Sequence, residues 1–267
     1  MSKFNFDNVI AVRKNKKIYR DGNLAIKVFN SDYSKSDVLN EALNQARVET
    51  TGLNIPKILE VTQTSLGEWV IVSEFIEGKT LQQLIDENPD DKAKYMEMFV
   101  RLQIDVCKQR CTLLTKLKDK MTNKIELANI DSAVKYELRT RLEGITRQNQ
   151  LCHGDFNPSN VILKEDGTLY ILDWAHATQG APCADAARTY LTYCLDNDFE
   201  TAKEYLEMYC SISEIPIRNI QRWLPIVAAS QSVKNIKEER ELLLSWINVP
   251  SSGRIGCKSC GIADSIR

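Results

Sequence analysis

Apolar and polar positions alternate over the first third of the chain and then give way to helical periodicity. Val9–Val12, Lys17–Arg20 and Leu24–Phe29 read as three short strands, and Asp21-Gly22-Asn23 reads as a hairpin turn between the last two. A helix is expected from about Asp37 to Glu49, with Leu39, Leu43 and Ala46 on one face. Ile55–Val61 and Glu68–Val72 give two more strands. Ser73–Gly78 reads as a linker into a helical start at Thr80–Leu84. From about Lys92 the spacing of Tyr95, Phe99, Leu102, Val106, Leu113 and Leu117 is helical, as is that of Val134, Leu138, Leu142 and Ile145. Val161–Leu163 and Leu169–Leu172 break this pattern as a hairpin around Glu165-Asp166-Gly167. Helices are expected again at Asp185–Leu195, Glu200–Tyr209, Arg218–Ile236 (kinked at Pro225) and Glu238–Trp246.

Composition narrows the function classes without choosing one. At 267 residues the chain suits one bilobal unit or two small domains. A hydrophobic share of 43% and a formal charge of −1 describe an ordinary globular protein, so neither nucleic acid nor a membrane is expected as the main partner. No apolar run approaches a membrane span, and the first residues carry no signal-like apolar stretch, so the expected compartment is the cytoplasm. Six of the eight cysteines (107, 111, 152, 183, 194 and 210) then read as reduced core or surface thiols. Cys257 and Cys260 form a C-x-x-C in a Ser/Gly-rich stretch and lack a second ligand pair for zinc, so an incidental pair of thiols is expected.

The candidate chemistry lies around the hairpin. His153-Gly154-Asp155-Phe156-Asn157-Pro158-Ser159-Asn160 has the spacing of the H-R-D-x-x-x-x-N catalytic loop of protein kinases, with Gly in place of Arg. Leu172-Asp173-Trp174 follows on the far side of the hairpin. Phosphoryl transfer has a loose, negatively charged transition state, so it needs positioning and charge neutralisation more than covalent help. Asn160 and Asp173 offer oxygen ligands of the kind Mg²⁺ takes together with substrate phosphates. Asp155 is placed to accept the proton of an attacking hydroxyl. His153 reads as a brace for the loop, and Trp174, Trp223 and Trp246 read as core.

The chain resembles the aminoglycoside phosphotransferase-like kinases, a group that includes antibiotic, choline, homoserine and fructosamine kinases. The resemblance runs from about Val9 to Trp246 and is densest in Leu151–Leu163, in Leu172-Asp173-Trp174 and in Ala184–Arg188. It implies an α+β, bilobal protein-kinase-like fold with a small β-rich N-lobe and a larger, mainly helical C-lobe. The expected bounds are 1–76 for the N-lobe, 77–250 for the C-lobe and 251–267 for a flexible or loosely docked tail. By the same likeness Lys27 is the strand lysine that holds the α- and β-phosphates of ATP or another nucleoside triphosphate. Glu41 is its ion-pair partner, with Glu49 a weaker candidate near the helix end. Glu74 C=O and Ile76 N–H would receive adenine, and Asp185 would brace the loop.

Two departures from the family pattern stand out. Arg13–Lys17 replaces a turn that usually contains glycine, and it reads as a solvated basic turn rather than a backbone cradle for phosphate. Leu102-Gln103 stands where related sequences often carry Leu-His. The activity implied is transfer of the γ-phosphoryl group to a hydroxyl of a small molecule such as an aminoglycoside, amino alcohol or sugar-like acceptor. A small acceptor is favoured because the chain lacks the long activation segment and A-P-E signature of protein kinases. Ten carboxylates against seven basic residues between Asp185 and Pro250 would suit a cationic acceptor. The alternative is a nucleotide-binding pseudokinase with a regulatory or scaffold role, motivated by the missing glycines.

Overall fold

The computed structural model describes residues 4–13 and 15–248, so Cys257, Cys260 and the expected tail lie outside the described residues. The chain divides into two compact units. Among the described residues, one runs to residue 95 and takes in 157–177, and the other comprises 96–156 and 178–248. The unit that holds the sheet therefore also takes in residues 77–95 and the hairpin after the catalytic-loop motif.

In the first unit, β1 (Val9–Arg13), β2 (Lys16–Asp21), β3 (Leu24–Phe29), β4 (Ile58–Gln63) and β5 (Trp69–Glu74) form an antiparallel sheet in the order β1-β2-β3-β5-β4. The strand period of two sorts its side chains onto opposite faces. Ile26, Val28, Val70 and Val72 pack together on one face. Phe29 and Ile71 pack on the other against Val38 and Ala42 of α1 (Lys35–Val48). Lys27 falls by the same alternation on the face that α1 covers. Gly22 turns the β2–β3 hairpin with φ 57, a left-handed conformation that glycine adopts without strain.

Helix α1 forms where expected, but its buried face is not the expected one. Leu39 and Leu43 are exposed, whereas Val38, Glu41, Ala42, Asn44, Gln45 and Val48 are buried. Three of those six are polar, and each has a partner. Gln45 donates to Pro56 C=O at 2.6 Å, Asn44 donates to Ala175 C=O at 3.2 Å, and Glu41 pairs with lysines of the sheet.

The first unit closes with β6 (Lys79–Thr80), α2 (Leu81–Glu87) and the hairpin strands considered below. Helix α3 (Lys92–Lys108) leads into the second unit, followed by α4 (Leu117–Leu127) and α5 (Ser132–Glu143). The periodicity from Tyr95 to Leu117 is thus split between two helices, and Leu113 in the break is exposed. A short strand β7 (Gln150–Cys152) comes next. In the first unit β8 (Val161–Leu163) and β9 (Leu169–Ile171) pair beside β6. Back in the second unit, β10 (Thr178–Gly180) pairs with β7 and precedes α6 (Pro182–Leu195) and α7 (Phe199–Ser213). The stretch expected as one helix kinked at Pro225 is two helices, α8 (Ile217–Gln221) and α9 (Leu224–Ser232). Pro225 sits in the first turn of α9, where its missing N–H costs nothing, so it starts a helix rather than bending one. Helix α10 (Arg240–Ile247) ends the described chain. Trp174, Trp223 and Trp246 are all buried, as expected of core residues. No described helix is long and apolar enough to cross a membrane.

Candidate active site

In the first unit four charged side chains converge on the α1 face of the sheet. Lys27 Nζ pairs with Glu41 Oε1 and lies 3.9 Å from Asp173 Oδ1. Lys16 Nζ lies 3.0 Å from Asp173 Oδ2 and 3.3 Å from Glu41 Oε1. Strand register explains both lysines. Lys27 pairs across the ladder with Ile18 and Ile71, and Lys16 pairs with Phe29, so alternation sends both ammonium groups to the helix side. Burial works to lower the Lys27 pKa, but the Asp173 and Glu41 carboxylates outweigh it and hold it raised, so the ammonium is charged. Glu49 is engaged elsewhere and accepts the Ile58 N–H at 2.8 Å.

Lys16 corrects the reading of Arg13–Lys17 as a solvated basic turn. Arg13 pairs with Lys16, so the turn is two residues shorter at its far end and Lys16 is the first residue of β2. Its side chain is only 15% exposed and spans two carboxylates. The alternation Lys16-Ile18-Arg20 against Lys17-Tyr19 carried the signal, but only the register with β3 says which set faces the helix.

Asp173 and Asn160 flank the open end of the β8–β9 hairpin, Asn160 just before β8 and Asp173 two residues after β9. Val161 pairs with Ile171, and the Leu172 N–H donates to Asn160 C=O at 2.8 Å. Asp173 itself has φ 58, a left-handed conformation that a non-glycine residue adopts at a cost. The flanking structure enforces it: Trp174 is fully buried with its indole N–H donating to Ile171 C=O at 3.2 Å, and Asn44 of α1 holds Ala175 C=O. Among the described residues no group of three or more His, Cys, Asp or Glu side chains could hold a metal ion. A donor set of one carboxylate, Asp173, and one amide oxygen, Asn160, would suit Mg²⁺, which fills its shell with water and substrate phosphate oxygens, better than a metal needing an all-protein cage.

Glu74 and Ile76 lie at the end of β5 and in the linker after it. Glu74 is three residues along β5 from Ile71, the ladder partner of Lys27, or about 10 Å at the strand rise. The Glu74 N–H donates to Lys57 C=O at 3.0 Å and the Phe75 N–H to Asn23 C=O at 2.8 Å, so the linker is pinned to the sheet.

In the second unit the loop containing Asp155 is fixed by buried polar groups. Asp185 of α6, 2% exposed, accepts the Gly154 N–H at 2.6 Å and the His153 N–H at 3.3 Å. Burial raises its pKa, while His153 and those two N–H groups oppose the rise. Thr189, one turn along α6, donates to Phe156 C=O at 2.8 Å. The fully buried Gln103 joins the two: its amide donates to Thr189 at 3.1 Å, approaches Asp185 at 3.5 Å and accepts the Tyr205 hydroxyl at 2.6 Å. Glutamine thus satisfies two acceptors and a donor at the position where a histidine is common among the sequences this chain resembles. His153, fully buried, accepts the Asp155 N–H on Nδ1 at 3.2 Å and meets Phe156 edge-on. Sequence reading singled out Gln103 only as a departure with no role attached, and it missed Thr189 and Tyr205, because their pattern is that of ordinary helix positions.

Replacing Asp185 with alanine leaves one buried and one part-buried N–H group without their acceptor. The expected cost is about 3 kcal/mol, seen as a lower urea midpoint. A loss below about 1 kcal/mol in the same titration would mean the loop has other support.

A family model described as phosphotransferase enzyme family matches residues 13–224. The chain belongs to that family. Structural likeness agrees in fold. The aminoglycoside phosphotransferase APH(4)-Ia is 15% identical with a TM-score of 0.65, over 90% of this chain and 89% of that one. Aminoglycoside-3'-phosphotransferase of type VIII is 13% identical with a TM-score of 0.61, over 86% and 93%. The chain also shares 33% identity over 88 residues with acyl-CoA dehydrogenase family member 10 of Mus musculus, a match spanning 26% of this chain and 8% of that protein. These likenesses carry the α+β, bilobal kinase-like fold, with a small antiparallel sheet in one part and a mostly helical remainder.

Proposed function

We propose that this phosphotransferase moves the γ-phosphoryl group of ATP to a hydroxyl of a small molecule. The convergence of Lys27, Glu41 and Asp173 carries the reading, because it gathers a charged lysine, its anchoring carboxylate and a second carboxylate on one covered sheet face. Lys27, oriented by Glu41, would hold the α- and β-phosphates. Glu74 C=O and Ile76 N–H would receive adenine, about one nucleotide's length along the sheet. Mg²⁺ bound by Asp173 and Asn160 would neutralise charge on the phosphates. The acceptor oxygen bonds to the γ-phosphorus as the bond from that phosphorus to the β–γ bridging oxygen breaks. ADP leaves, and Asp155 takes the hydroxyl proton.

Related structures lend support. A thermostable mutant of APH(4)-Ia has been crystallised with AMP-PNP and hygromycin B, and aminoglycoside 2'-phosphotransferase-IIIa with GDP. Lys27→Ala is expected to weaken ATP by about tenfold or more while leaving adenosine within about twofold, since only phosphate contacts are lost. Calorimetric titration of both ligands checks this, and equal weakening of the two would place the lysine outside the phosphate site. ADP release across alcohols, amino alcohols, sugars and aminoglycosides separates an active kinase from a pseudokinase.

A further inference from the structure

The proposed transfer leaves Lys16 without a part, yet its setting is as well defined as that of Lys27. Its ammonium lies 3.0 Å from Asp173 Oδ2, 3.3 Å from Glu41 Oε1 and 3.4 Å from Glu41 Oε2. The side chain is only 15% exposed, and Nζ stands 5.8 Å from the centre of the Phe29 ring. Lys27 already pairs with Glu41, so that carboxylate does not require a second lysine. A covered ion pair by itself adds little to stability, and two ammonium groups gathered on the same two carboxylates repel each other.

The connection from β1 to β2 gives this cation a reason. Arg13 pairs with Lys16, so two residues join the strands, and no glycine stands between Arg13 and Lys17. Asn15 C=O accepts the Asn30 N–H at 2.9 Å, which ties the turn to the end of β3. A backbone cradle for phosphate needs several N–H groups at close approach, and glycine is what permits it. Here the positive charge at that end of the sheet comes from a side chain instead.

We propose that Lys16 receives the γ-phosphate of ATP, next to the α- and β-phosphates held by Lys27. The proposal rests on the kinase reading and deepens it. Strand register supplies the order along the sheet. Glu74, at the proposed adenine end, pairs with Leu24. Lys27 is three residues further along β3, and Phe29, the ladder partner of Lys16, is five residues further. At the strand rise those levels lie about 10 Å and about 17 Å from the adenine end. Adenine end, Lys27 and Lys16 therefore follow one another as base, α- and β-phosphates and γ-phosphate do in the nucleotide. Asp173 supports the same order. Lys16 approaches it at 3.0 Å and Lys27 at 3.9 Å, and in this chemistry the metal held by such a carboxylate bridges the β- and γ-phosphates. An ammonium has three donors, so Lys16 can stay on a carboxylate while another donor turns to a phosphate oxygen.

Calorimetry with Mg²⁺ and either AMP-PNP, which keeps a γ-phosphate, or ADP, which lacks one, tests the assignment. Lys16→Gln is expected to weaken AMP-PNP at least about tenfold and ADP by no more than about threefold, as one charged contact to the γ-phosphate is lost. ADP shares the sheet, Lys27 and Asp173, so it controls for damage to any of them. Lys16→Arg keeps the cation and should hold the ratio of the two affinities near its wild-type value, whereas Lys27→Ala should weaken both nucleotides. A second readout uses the wild-type chain and needs no variant to fold. Lysine acetylation, mapped by mass spectrometry, should slow more at Lys16 under saturating AMP-PNP than under saturating ADP. Equal weakening of both nucleotides by Lys16→Gln, unchanged affinity for both, or equal protection of Lys16 by the two overturns the proposal. A γ-phosphate contact that depends on Lys16, with no phosphoryl transfer to any acceptor, leaves the proposal standing and counts against the kinase reading alone. A wild-type chain that binds neither nucleotide overturns both.

Discussion

Asp155→Asn is expected to lower turnover by roughly a hundredfold or more while Mg·ATP binding stays nearly intact. Asparagine keeps the shape of the side chain and can still hydrogen-bond the acceptor hydroxyl, but it cannot take the proton as the oxygen attacks phosphorus. The fold should tolerate the change, because the Asp155 backbone is held through His153 and the loop through Asp185 and Thr189. The Asp155 carboxylate also faces Arg188 at 3.6 Å, so the variant must be compared at saturating acceptor to separate chemistry from acceptor binding. Steady-state kinetics with the acceptor, alongside nucleotide calorimetry, makes that separation. Wild-type turnover in the variant would remove Asp155 from the role of base, and a collapse of Mg·ATP binding would make it a metal ligand instead.

The second large effect belongs to Asp173. Asp173→Asn removes a carboxylate that, like Glu41, both Lys16 and Lys27 approach, as well as the only formal charge in the proposed magnesium pair. Mg²⁺-dependent nucleotide affinity should fall at least about tenfold, and nucleotide binding without metal should change much less. Calorimetry with and without Mg²⁺ reads the difference. A metal dependence identical to that of the wild type would take Asp173 out of the metal site and leave it as a partner for the two lysines. The two substitutions are expected to differ in kind: one stops proton removal, the other loosens the nucleotide.

The sequence by itself determined the elements that rest on local physics. Strand alternation in Leu24–Phe29, the turn at Gly22 and the hairpin around Gly167 follow from side-chain period and backbone freedom, and all three are present. The catalytic-loop spacing was legible for the same reason, since Asp155, Asn160 and Asp173 lie within one short stretch whose chemistry demands those residue types. Lys27 and Glu41 could be paired on paper from the family resemblance, and the two side chains do meet.

Tertiary structure decided what periodicity cannot encode. The apolar stripe Leu39-Leu43 on α1 is exposed because the opposite face must present Glu41, Asn44 and Gln45 to partners far away in the chain. A buried polar residue with a satisfied hydrogen bond looks in sequence like a solvated one. Lys16 passed for a turn residue for the same reason until the register of β2 on β3 turned it inward. Gln103, Thr189 and Tyr205 become a brace only when α3, α6 and α7 come together, through hydrogen bonds between residues up to 102 positions apart. The guanidinium beside Asp155 comes from α6 and is held by Gln231 of α9, so the charge facing that carboxylate is set by helix packing and not by the composition of any one segment.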